Sequence, residues 1–195
     1  MEGMTLHPCP SSLERRRVAD PVLRSSTGIW SSPRFALVEE RWDTSDGPVA
    51  RPAIHHPGAV VVLAEPEPGR VLLVRQWRYP VRRWTLEVPA GTRVPGEPPE
   101  ASAARELAEE AGYAADRLIE IMRFFPALGV SDEEMIVYRA EGLHEAPGTR
   151  DHGELVERHL ADRAALRAMA LDGRICDGKT LLALALWGVP LGTTT

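Results

Sequence analysis

The chain of 195 residues has two cysteines, Cys9 and Cys176, too few for a disulfide framework, and it has no CxxC pair to hold zinc. It has no surplus of positive charge: 23 Lys and Arg against 28 Asp and Glu leave a net charge of −5, so the electrostatic footprint of a nucleic-acid binder is missing. The arginines are scattered apart from Arg15 to Arg17, which read as a solvated cluster in a polar tail, and no helix-turn-helix segment is evident. Long apolar runs are missing too. LLALALW near the C-terminus is far too short to span a bilayer, and the Pro- and Ser-rich stretch around Cys9 lacks the apolar region of a signal peptide. These absences predict a soluble, cytoplasmic protein with neither nucleic acid nor membrane among its partners. No internal repeat is visible.

What is present divides into three parts. Residues 1–32, polar and punctuated by Pro8, Pro10 and Pro21, read as a flexible tail. Residues 33–57 read as a small β subdomain, because RFALVEERWD and PVARPAIHH flank the turn signal Ser45-Asp46-Gly47-Pro48. Residues 58–190 carry the main domain. Its strand-like segments are AVVVLA (59–64), RVLLVRQWR (70–78), WTLEV (84–88), LIEIMRFF (118–125) and EEMIVYRA (133–140). ADRAALRAMALDG (161–173) and KTLLALALW (179–187) carry helical patterns, the second apolar nearly all round. Strands interleaved with helices predict a mixed α/β architecture.

The most informative segment is GTRVPGEPPEASAARELAEEAGY, residues 91–113. Pro98 and Pro99 pre-set φ for a helix start, residues 101–111 are strong helix formers, and Gly112 is placed to end the helix, so a helix is expected over about Pro99 to Ala111. Helical spacing puts Ala104, Leu107, Ala108 and Ala111 on an inward stripe and Glu106, Glu109 and Glu110 together on an exposed one. Like charges at Glu106 and Glu110 cost a few tenths of a kcal/mol in a bare helix. A hard cation with oxygen ligands would neutralise them; the plainer alternative is a solvated acidic face, partly offset by the pair of Arg105 with Glu109.

Gly91, Glu97, Arg105, Glu106, Glu109, Glu110 and Gly112 match the Nudix box, Gly-x5-Glu-x7-Arg-Glu-U-x-Glu-Glu-x-Gly-U with U apolar, apart from Tyr113 at its final position. Residues 34–188 resemble the ADP-ribose pyrophosphatase branch of the Nudix hydrolases, through HHPGAVVVL, LLVRQWRYPV, WTLEVPAG, FFPALGVSDEEMIVYRA and DGRICDGKTLLALAL. The resemblance implies the Nudix fold, a mixed β-sheet sandwiched between helices, with the N-terminal β subdomain serving a homodimer. It implies metal ligands at Glu106, Glu109, Glu110 and the Ala90 carbonyl, for Mg²⁺ with Mn²⁺ as the alternative. It implies substrate contacts at Arg78, Glu87, Gly91 and Glu133, and orienting roles for Glu97 and Arg105. A catalytic glutamate is expected in the loop after residue 140, with Glu154 the first choice, also able to reach the metal, and Glu157 the second, and Glu109 on the helix is counted with them as catalytic. His144, His152 and His159 are weaker rivals as bases, Asp132 could touch substrate or cap a strand, and Trp77, Trp84 and Phe125 could stack on a base or belong to the core. The implied reaction is hydrolysis of a nucleoside diphosphate sugar, ADP-ribose first, to AMP and ribose 5-phosphate. Other nucleoside diphosphate derivatives (GDP-mannose, NADH, a dinucleoside polyphosphate) and a Nudix-fold ligand sensor without catalysis are the alternatives.

Overall fold

A computed structural model describes residues 18–146 and 156–192. In chain order it contains β1 (Val22–Ser31), β2 (Ala36–Thr44), β3 (Gly47–His55), β4 (Ala59–Leu63), β5 (Arg70–Arg78), β6 (Arg83–Glu87), β7 (Ala90–Thr92), α1 (Pro99–Ala111), β8 (Tyr113–Phe124), β9 (Met135–Glu145), β10 (Val156–Asp162), α2 (Arg163–Leu171) and α3 (Gly178–Leu186). The expected hairpin is present as β2 and β3, closed by Thr44 paired with Gly47. Residues 22–31, expected within a flexible tail, instead form β1, which pairs antiparallel with β2.

The core is built on β4, whose five residues AVVVL are all buried. It runs parallel to β9 and antiparallel to β7, giving the sheet order β7-β4-β9-β8, while β10-β5-β6 forms a second sheet. Successive side chains on a strand point to opposite faces, so a continuous apolar run serves two cores at once. Val60 and Val62 join Ala103, Leu107 and Ala111 of α1, whereas Val61 and Leu63 join Leu166 and Met169 of α2 and Ala183 and Leu184 of α3. The sheets therefore lie between α1 on one side and the two C-terminal helices on the other, the expected mixed α/β sandwich. Each fully buried Val or Leu contributes roughly 1.5–3 kcal/mol, as an upper estimate.

Two elements depart from expectation. Residues 156–162, expected as loop running into a helix from 161, form β10, which pairs along β5 from Val156 opposite Gln76 to Asp162 opposite Arg70. The helix starts after it, at Arg163, because the Asp162 side chain accepts the Ala165 N–H and caps the first turn.

Candidate active site

The box helix forms with the expected bounds. Pro99 sits in the first turn, where a missing N–H costs nothing, and Gly112 at φ 67° donates its N–H to the Ala108 carbonyl, 2.9 Å away. Its rotation differs by one position from the expected stripe. Ala103, Leu107 and Ala111 are buried together with Ser102, whereas Ala104 is exposed. The same rotation carries Glu110 inward, so that it is only 4% exposed and accepts the Ala90 N–H at 2.9 Å. The acidic stripe expected on an open face is thus turned partly into the protein.

Opposite it stands the turn from β6 into β7. A Cβ on Gly91 would overlap the Glu106 carboxylate, so this backbone can lie against that carboxylate only where no side chain intervenes. Arg105 closes the acidic group from the other side, with its guanidinium 2.6 Å from Glu106, 3.0 Å from Glu109 and 3.5 Å from Glu97. Glu97 in turn accepts the Ser102 hydroxyl at 2.5 Å, and that hydrogen bond, reinforced by the charge of Arg105, holds its carboxyl below the usual range against the opposing effect of burial. Glu97 and Arg105 are thus bonded to each other and, through Arg105, to Glu106 and Glu109.

Gln76, Arg78, Ala90, Gly91, Thr92, Arg93, Arg105, Glu106, Glu109 and Glu110 border one open cavity of about 410 Å³, together with Pro33 and Arg34 from the segment between β1 and β2. The structure therefore brings together Arg78, the Ala90–Gly91 turn and all three helix carboxylates. Among the described residues no three His, Cys, Asp or Glu side chains already form a closed ligand set. The carboxylate residues Glu106, Glu109 and Glu110, with the Ala90 backbone beside them, nevertheless offer the oxygen chemistry that a hard divalent cation takes.

Glu87, expected to touch substrate, is instead buried behind Arg78. It accepts Arg78 Nε at 2.7 Å and Nη2 at 2.5 Å, the Thr85 hydroxyl at 2.6 Å, and the Lys179 ammonium. Burial alone would raise its pKa, but the Arg78 hydrogen bonds and the Lys179 charge lower it to about 2. Glu133 also lies off the cavity, with its carboxylate 3.7 Å from His56. Its neighbour Asp132 holds His55 Nδ1 at 2.7 Å and the His56 N–H at 2.8 Å, which ties β3 to the main domain.

Glu157, expected in a loop, is on β10, where its exposed carboxylate pairs with Arg75 at 3.1 Å. Glu154 and His152 lie outside the described residues. His144 and His159 are exposed and away from the cavity lining, and Phe125 is likewise exposed. Trp77 and Trp84 meet edge to face at 5.9 Å, and the Arg75 guanidinium covers Trp84 at 4.1 Å, so both are engaged within the protein. Sequence reasoning missed Arg34, Gln76, Arg93 and Lys179. No local pattern flags them; Lys179 in particular opens an apolar helix and meets Glu87 from 92 positions away.

A family model for the NUDIX domain matches residues 54–182. The chain is 43% identical over 176 residues to the ADP-ribose pyrophosphatase of Bacillus subtilis (strain 168), covering 89% of this chain and 92% of that one. It is 35% identical over 167 residues to the ADP-ribose pyrophosphatase of Mycobacterium tuberculosis, covering 85% and 79%. Among solved structures, the crystal structure of an ADP compounds hydrolase superposes with a TM-score of 0.76 at 20% identity, over 89% of this chain and 95% of that one, a likeness of fold.

Proposed function

The chain belongs to the Nudix family, and from that premise we propose that it is a pyrophosphohydrolase that cleaves the diphosphate of ADP-ribose to give AMP and ribose 5-phosphate. The observation that carries this reading is the shared cavity, where three carboxylates of α1 and the Ala90–Gly91 turn face the same space as Arg78. Glu106, Glu109, Glu110 and the Ala90 carbonyl would hold a divalent cation, Mg²⁺ in this reading with Mn²⁺ as the alternative. When bound, such an ion neutralises phosphate charge and acidifies a water molecule. Arg78 binds phosphate oxygen through its planar set of donors. Arg105 and Glu97 fix the direction of the helix carboxylates, and Gly91 keeps the turn close to them. Glu154 takes the proton of the attacking water as general base. Glu157 is the second choice, since its carboxylate is already engaged by Arg75.

Residues 58–190 form the hydrolase domain, and the N-terminal β unit makes a homodimer. Support comes from Val22, Leu23, Ile29 and Trp30 on β1, all about half exposed, which is an unusual apolar load for a strand with a free edge. Two-fold dimers are the commonest oligomers. Sedimentation of the full chain should give a dimer, and a chain starting at Gly58 should sediment as a monomer. No helix among the described residues is long and apolar enough to cross a membrane; the cytoplasm is the proposed compartment.

The decisive assay is a panel of ADP-ribose, GDP-mannose, NADH and a dinucleoside polyphosphate with Mg²⁺ or Mn²⁺, read by product identity. ADP-ribose should be hydrolysed with the highest kcat/KM. Preferred cleavage of another member would replace the substrate, and binding without turnover of any would replace the enzyme with a sensor.

A further inference from the structure

Lys179 is the only lysine in a sequence otherwise supplied with arginine. It is also in an unfavourable place. Its side chain is 8% exposed, and it stands two residues after the cap Asp177, near the positive end of the α3 dipole. Burying an ammonium costs several kcal/mol unless paired, and an apolar residue of similar volume is often at least as stabilising. General stability therefore gives no reason for a cation at this position.

Its contacts give one. The ammonium touches Asp177 at 2.9 Å and shares Glu87 Oε2 with Arg78 Nη2. Arg78 meets Glu87 through Nε and Nη2, a two-point contact that fixes the plane of its guanidinium while the residue lines the cavity. The Thr85 hydroxyl donates to Oε1 of the same carboxylate. One residue further along α3, the Thr180 hydroxyl accepts the Val88 N–H at 3.1 Å and donates to Asp177 at 2.6 Å, which pins the strand end leading into Ala90 and Gly91. The start of α3 is thus bonded to both approaches to the cavity.

We propose that Lys179 and Glu87 are positioning residues for substrate binding, with the Lys179 ammonium fixing the Glu87 carboxylate so that Glu87 presents the Arg78 guanidinium to the substrate diphosphate in one orientation. This rests on the reading of Arg78 as a phosphate contact. Neither residue touches substrate; both act through Arg78, and the effect of losing them falls on KM more than on kcat.

The test is a double-mutant cycle in the full chain with ADP-ribose and Mg²⁺. Lys179→Met should raise KM by about 10-fold while changing kcat by less than about 3-fold. In an Arg78→Ala background the same substitution should change KM by less than about 2-fold, because the group it orients is gone. If Lys179→Met raises KM equally in both backgrounds, Lys179 supports the fold in general and the proposal is overturned. An unchanged KM in the folded single variant overturns it as well. Should Lys179→Met fail to melt cooperatively, Glu87→Gln, which keeps the shape of the side chain, carries the same cycle: a rise in KM confined to the Arg78 background supports the proposal, and an equal rise in both, or none, overturns it. An Arg78→Ala variant with parental KM would instead remove the phosphate-contact reading itself, an outcome visible before the second substitution is made.

Discussion

Two charge clusters border the same cavity, and they are built in opposite ways. Along α1 and just before it, Glu97, Glu106 and Glu109 all meet the guanidinium of Arg105. Behind Arg78, two cations and two carboxylates balance: Arg78 and Lys179 meet on Glu87, and Lys179 also meets Asp177. The second cluster is complete within the protein, which suits a rigid mount. The first opens onto the cavity through Glu106 and Glu109, which suits a site that meets a ligand. The same residue types therefore stand in two settings, one buried behind Arg78 and one facing open space, and burial separates them.

Breaking the cluster on α1 should give the largest effect. Glu106→Gln or Glu110→Gln should abolish most turnover, a loss beyond the roughly 10- to 100-fold typical of removing a group that only orients a ligand. Melting without metal should change far less than turnover does. At Glu106 the relief of a like-charge pair offsets part of the ion pair lost with Arg105, and at Glu110 the amide oxygen can still accept the Ala90 N–H. Near-parental activity of either variant at limiting Mg²⁺ would reject its assignment as a ligand. Next, Glu154→Gln should lower kcat by about 10² to 10⁴-fold with little change in KM, the scale of a lost general base. Glu157→Gln is its control; if that variant is the crippled one, the base lies on β10.

The complete cluster should reveal itself through stability instead. Glu87 is held at about 2 in the fold against 4.5 as its ordinary value. A lowered carboxyl pKa stabilises the fold above the unfolded value and stops doing so as the pH falls through the folded one. Stability should therefore drop between about pH 4.5 and pH 2, by on the order of 3 kcal/mol from this group. In Glu87→Gln that segment of the acid melting curve should flatten. A curve parallel to the parent would mean that Glu87 is not the group responsible.

The contrast also explains what was readable in the sequence. The α1 cluster lies within one helix and one adjoining turn, so fixed spacings announce it, down to the helix bounds set by Pro99 and Gly112. Which way Glu110 points is not local information; it depends on how α1 settles against β4 and on the Ala90 N–H that meets it. The Arg78 cluster is assembled from β5, β6 and α3, and in the sequence Lys179 is merely a polar start to an apolar helix. β10 was hidden for a similar reason: VERHLAD has no clean alternation, and its partner β5 lies some 80 residues earlier. Local rules recover elements that cap themselves and miss those defined by a distant partner.

The smallest effect concerns how the N-terminal sheet is tied to this site. His55, at the end of β3, holds Asp132 at 2.7 Å and Glu40 at 3.2 Å. The hydrogen bond with Asp132 is the main reason its pKa is raised above 6.5, with burial opposing and the charges of Asp132 and Glu40 adding to the rise. A raised histidine pKa stabilises the fold below the unfolded value, and that contribution fades as the pH rises through the folded one. The His55 side chain is 44% exposed, so solvent screening limits the contribution to a few tenths of a kcal/mol. Hydrogen exchange of the β3 amides should consequently quicken slightly as the pH rises from about 6 to 8, beyond the intrinsic pH dependence of exchange, while amides of β4 and β9 show no such excess. His55→Gln should remove the excess, because its amide does not titrate. If β3 and β4 respond alike in the parent, the pH dependence belongs to the whole domain and His55 is not the tie.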